Sequence, residues 1–166
     1  MRTSFPSPKR GCNPIDIVEE LVLSENWESE RRGDDEVVIE RPGTSGTFDM
    51  FFVWEKDVNC LQVSCLLDLY VREENLSDVY KLLALANEKV WVGHFCLWSS
   101  ENMLSYRNAV MLDKDGYADE EHLSDIISMA ISECEKMYPA FQFVIQHKAT
   151  PEDAIKMAVL SPAGNA

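Results

Sequence analysis

The sequence predicts an α+β fold, a two-layer sandwich in which helices lie mainly over one face of an antiparallel five-stranded sheet. The expected order is α-β-β-β-α-β-β-α, followed by a short C-terminal helix. Three observations predict it. Segments with apolar residues three and four apart alternate with segments whose apolar residues recur at every second position, the periods of helix and strand. The connections between the strand-like segments are short, which makes antiparallel pairing the natural reading. The chain has 166 residues, 46% of them hydrophobic, with four Trp, seven Phe and five Tyr. A chain of that length buries about 70% of its unfolded surface, so its core needs neither disulfide nor metal.

Residues 1–12 carry Pro6, Pro8 and Gly11 without periodicity and are expected to form a flexible tail ahead of a single domain at 13–160. Asn13 is a good N-cap and Pro14 suits the first helical position, so a helix is predicted from 14 to about 26 on the stripe Ile15, Val18, Leu21 and Val22. Val37-Val38-Ile39 starts the strands. After the turn residues 42–46, Phe48, Met50, Phe52 and Trp54 alternate, with Phe51 and Val53 on the opposite face. Leu61, Val63, Cys65, Leu67 and Leu69 alternate next, which completes a three-stranded meander. A second helix opens near Asn75 or Ser77, with Val79, Leu82, Leu83, Ala86 and Val90 as its stripe.

A hairpin follows, with Val92, His94, Cys96 and Trp98 in one arm and Leu104, Tyr106, Arg107, Val110 and Leu112 in the other. Asp115-Gly116 marks its exit. From Leu123 the apolar positions run 126, 127, 130, 131, 134, 137, 138, 141, 144 and 145, straight through Pro139. That spacing predicts one long helix kinked at Pro139 instead of a helix and a strand. Thr150-Pro151-Glu152-Asp153 opens the last helix, to about 159, and residues 161–166 form a loose tail.

A formal net charge of −14 restricts the function. Such a surface repels phosphate backbones and anionic membranes, so the expected partners include neither nucleic acid nor membrane, and basic protein segments are favoured. The five cysteines, Cys12, Cys60, Cys65, Cys96 and Cys134, form no C-x-x-C pair. With no secretory leader pattern at the N-terminus, they fit a reducing, cytoplasmic location.

Familiar reactive motifs are tested and set aside. Aligning Gly116 with the invariant glycine of a calcium loop puts Met111 and His122 at the first and twelfth ligand positions, where oxygen is required. Gly43-Thr44-Ser45-Gly46 is one residue short of a nucleophile elbow and reads as a hairpin turn. Asn75-Leu76-Ser77 matches a glycosylation triplet but reads as a helix cap. None of His94, His122 and His147 has a second ligand at metal-binding spacing. His94 lies in an otherwise apolar strand and is expected to be buried and hydrogen-bonded, with a base for Cys60, Cys65 or Cys96 as the alternative. The aromatic residues, Phe51, Trp54, Trp91 and Trp98 among them, are expected to divide between core and an uncovered sheet face.

Residues 82–95, LLALANEKVWVGHF, followed by Tyr106-Arg107, Tyr138-Pro139-Ala140-Phe141-Gln142-Phe143 and Pro151-Glu152, resemble the YbjN family of bacterial proteins over about 13–160. The resemblance implies a type III secretion chaperone-like fold, whose members are small, acidic, usually dimeric proteins that hold segments of other proteins. It also implies a link to sensory-transduction regulation and singles out Asn87, Gly93, His94, Phe95 and Arg107. The function expected is a non-enzymatic, chaperone-like or regulatory homodimer without cofactor or metal, which captures a basic or amphipathic segment of a partner protein. The alternatives are a ligand-sensing domain and a small enzyme using His94 with a nearby thiol or carboxylate.

Overall fold

A computed structural model describes residues 13–113 and 118–160. The expected tails at 1–12 and 161–166, Cys12 and the Asp115-Gly116 turn with its rejected calcium loop lie outside the described residues. The first helix, α1 (Pro14–Ser24), starts as its sequence dictates: the Asn13 side chain accepts the Ile15 N–H at 2.9 Å, and Pro14 takes the first turn. It buries Ile15, Val18 and Val22, and it stops before Asn26, which adopts a left-handed φ of 58°.

Six strands follow, one more than the five expected: β1 (Glu28–Arg31), β2 (Glu36–Pro42), β3 (Thr47–Glu55), β4 (Cys60–Tyr70), β5 (His94–Trp98) and β6 (Met103–Met111). The additional strand is β1, whose sequence Glu-Ser-Glu-Arg has no apolar residue to alternate. It forms an edge through backbone pairing alone, Glu28 opposite Glu40 and Arg31 opposite Val37. The single sheet runs β1-β2-β3-β4-β6-β5, with every neighbouring pair antiparallel. From β4 the chain crosses through α2 (Leu76–Asn87) to the far edge and returns as β6 between β5 and β4. The second helix ends at Asn87, so Val90 lies beyond it, and the fifth strand begins at His94, so Val92 precedes it.

The register lines up Ile39, Met50, Cys65, Tyr106 and Phe95 across five strands, all of them buried. They share one core with Val18 of α1, Leu82 of α2 and Phe141 of the long helix α3 (Glu120–Ile145). Fully burying a side chain such as Phe141 contributes about 2–3 kcal/mol, and the shared core is what holds the helices to the sheet. The third helix is continuous through Pro139, as its period requires, and buries eleven side chains from Leu123 to Val144. The final helix, α4 (Pro151–Leu160), is capped by Thr150, whose Oγ1 accepts the Asp153 N–H at 3.2 Å. Asn75 does not cap α2 as expected. Its buried side chain donates to the Ile145 carbonyl at 3.0 Å and ties the start of α2 to the end of α3. Among the described residues, no helix is long and apolar enough to cross a membrane.

Candidate protein-binding surfaces

The residues singled out by sequence divide into two groups with different work. Asn87, at the end of α2, faces the backbone of edge strand β5. Its Oδ1 accepts the Phe95 N–H at 2.7 Å and its Nδ2 donates to the Phe95 carbonyl at 2.9 Å. One side-chain amide thus supplies both bonds that a neighbouring strand would have made. Phe95 itself is buried, edge-on to Tyr106 with ring centroids 5.5 Å apart and equally close to Phe141. Gly93 has a φ of +73°, and a Cβ there would overlap the Tyr106 hydroxyl and the Arg107 carbonyl. That hydroxyl donates to the Val92 carbonyl at 2.7 Å, and burial pushes its pKa up to about 12. Asn87, Gly93 and Phe95 therefore hold β5 in place.

His94 and Arg107 are cross-strand neighbours on the other face of the sheet, and both are exposed. This corrects the expectation of a buried, hydrogen-bonded His94: alternation places it opposite to buried Phe95. Among the described residues His94 makes no side-chain hydrogen bond, and Arg107 makes one, to Gln62 Oε1 at 3.1 Å. Cys96 and Trp98 follow on the same face of β5, where Cys96 contacts Ser105 Oγ at 3.2 Å and Trp98 is half exposed. Phe51 belongs to this face too, opposite Ser64, and the Arg32 guanidinium lies 5.9 Å from its ring. Trp54 does not join them, because it shares the face of Phe52 and packs against the core, with Lys56 over its ring. Trp91, expected among the mostly buried aromatics, is 98% exposed in the link before β5.

The thiols named with His94 fall on both faces of the sheet, Cys96 on the His94 face and Cys65 on the other. Cys65 lies on the buried face, out of reach of His94, and its hydrogen bond together with burial pushes the Cys134 thiol well above its ordinary range. A buried thiol of that kind is a poor nucleophile. Among the described residues, no three His, Cys, Asp or Glu side chains are grouped to hold a metal ion.

A concavity of about 1250 Å³ lies elsewhere, between α1 and α4 along the outer side of α3. Its walls carry Leu21, Val22, Ile127, Ile131, Phe143, Met157 and Leu160. A file of serines, Ser124, Ser128 and Ser132, runs along α3 at the four-residue helical spacing. From Ser124 to Phe143 the floor is roughly 28 Å long, the length of about five helical turns. One rim is fixed by Arg41 and Glu135, 2.6 Å apart, with the Thr44 N–H also directed at Glu135. Glu25 stands free beside it among the described residues. Leu160 is 80% exposed at the other rim. A smaller groove of about 430 Å³ separates α4 from α2.

The model of the YbjN family, described as a putative bacterial sensory transduction regulator, matches residues 14–143. The chain belongs to the YbjN family. The match spans α1 through the Phe143 end of the groove floor, so the sheet, the Asn87–Phe95 clasp and most of the groove are inside it. No curated protein and no solved structure is significantly similar to the chain.

Within this YbjN domain, sequence reasoning missed the groove, because Leu21, Ile127 and Ile131 register as core stripe and a stripe does not reveal how far apart two helices stand. The signal that was available is the serine file. Small polar residues repeating every four positions beside an apolar stripe mark a strip of helix that no neighbour covers.

Proposed function

We propose that this chain is a cytoplasmic, regulatory protein-binding domain that works without catalysis, seating an amphipathic helical segment of a partner protein in the α1–α3–α4 groove. Its framework is a two-layer, type III secretion chaperone-like sandwich with the helices behind the sheet. The observation that carries the reading is the groove itself, an apolar trough about 1250 Å³ in volume with polar rims. Such a trough suits the i, i+3, i+4, i+7 anchors of one helix face. Capture by strand addition has less support. One sheet edge is closed by Asn87, and the other is the four-residue, charged β1. The family's link to regulation supports a binding role, and the acidic surface favours a partner with basic flanks.

Ser128 provides the test, because it is exposed on the groove wall and a long charged side chain there fills the trough without disturbing the core. Wild-type and Ser128→Arg proteins, shown by circular dichroism to melt alike, would be used to capture partners from host lysate for mass spectrometry. A partner held by wild type and lost from Ser128→Arg is the expected result. Equal recovery of the same proteins on both would overturn the groove assignment.

A further inference from the structure

We infer that α4 is a built-in occupant of a helix seat on α2 and α3, and that it swings out to yield the seat to a partner helix of the same pattern. The inference rests on the groove reading for the class of partner, and adds that the α4 wall of the groove is displaceable.

The pattern of α4 shows what the seat takes. Its buried residues are Pro151, Ala154, Ile155 and Ala158, at i, i+3, i+4 and i+7. This is the anchor spacing by which one helix face docks in a groove formed by others. Two of the four anchors are alanines, so a helix in this seat lies close to α2 and α3. The other side of α4 is not that of an ordinary surface helix. Met157, Val159 and Leu160 are 42%, 49% and 80% exposed, so the helix carries apolar surface beyond its buried stripe.

The packing of α4 is open on both flanks. Met157 and Ala158 line the larger groove, Ile155 and Val159 line the smaller one, and Leu160 borders both. Side chains that face open space on one side lose part of their dispersion attraction. Where α3 buries eleven side chains, α4 buries four, and local opening draws on elements of that kind. Its ionic tie to α2, Lys81 to Glu152, is exposed, whereas the Thr150–Asp153 and Lys156–Asp153 contacts lie within α4 and its cap.

The helix before it also ends without its help. His147 has a left-handed φ of 55°, and its N–H donates to the Val144 carbonyl at 3.0 Å. The Lys148 N–H donates to the Phe143 carbonyl at 2.8 Å. These two bonds close the C-terminus of α3 as a Schellman motif. The Asn75 side chain holds the Ile145 carbonyl as well. Ala149 and Thr150 are left as the hinge, between a finished helix and one that starts with its own cap. With α4 swung out, the two grooves run together over α2 and α3, and a partner helix gains the whole strip.

The test uses the full chain and a fluorescent peptide of residues 150–160, TPEDAIKMAVL. In wild type, the α4 amides should exchange about a hundredfold faster or more than those of residues 131–144 in α3. The peptide should bind Ile155→Asp protein about tenfold or more tighter than wild type, where the tethered α4 already holds the seat. A melting curve checks that Ile155→Asp is folded, and Ala158→Asp takes its place if it is not. A peptide carrying Ile155→Asp should bind neither protein. Exchange of α4 as slow as that of α3 would overturn the proposal without any variant. So would a peptide that binds the unseated variant and wild type equally. Neither result touches the capture comparison at Ser128, so displacement and groove can fail separately.

Discussion

At the scale of single residues, the positions that carry the family resemblance do unlike things. Asn87 completes the hydrogen bonding of an edge strand, and Phe95 fills the core behind it. Replacing Asn87 by Ala leaves the Phe95 N–H and carbonyl to solvent, at a cost of about 1–2 kcal/mol. In a domain of this size that is a fall in Tm of roughly 3–6 °C. Hydrogen exchange locates the effect: in Asn87→Ala the Phe95 amide should lose protection while that of Cys65 in β4 keeps it. Unchanged protection at Phe95 would mean that the edge is covered by something other than the amide. Gly93 shows the same division of labour, since its positive φ and the nearby Tyr106 hydroxyl leave no place for a side chain.

Among the elements, α4 depends on its neighbours for position, and one of its ties is ionic. Lys81 of α2 bonds Glu152 of α4. This hydrogen bond, with the attraction behind it, raises the Lys81 pKa above its ordinary 10.5 and lowers that of Glu152 below 4.5. A lowered carboxylate pKa gives stability that is present above the unfolded value and lost as pH falls through the folded one. A raised lysine pKa gives stability that is present below the unfolded value and lost as pH rises through the folded one. The tie therefore works between about pH 4.5 and 10.5. Glu152→Gln should melt slightly below wild type at pH 7, and the difference should shrink as pH falls from 4.5 through the lowered folded value. The pair is exposed, so the gap is small at best, and a gap that does not shrink with falling pH would assign it to packing. The elements were also unequally legible in the sequence. The long helix α3 could be read because its period passes unbroken through Pro139. Strand β1 could not, because Glu-Ser-Glu-Arg has no apolar alternation and pairs only through its backbone. The placement of β6 inside β5 depends on where α2 packs, which no local pattern encodes.

Across the whole molecule, the sheet separates two surfaces with different chemistry. The groove is apolar and framed by helices, whereas the free sheet face is mostly polar, with His94 and Arg107 toward β5 and Arg32 over Phe51 toward β1. The sequence indicated that apolar surface would remain uncovered on the sheet, among aromatic residues that include Phe51 and Trp54 of β3. Of these, Trp54 packs on the core and Phe51 lies under Arg32. Contacts between distant residues decide both outcomes. If the binding surface is the groove alone, a change on the sheet face should spare it. Arg107→Glu should retain whatever partner wild type holds, and Ser128→Arg should lose it. Capture from host lysate, run on both variants and read by mass spectrometry, compares the two outcomes directly. Loss of the partner in Arg107→Glu as well would show that the sheet face takes part in binding instead of standing apart from the groove.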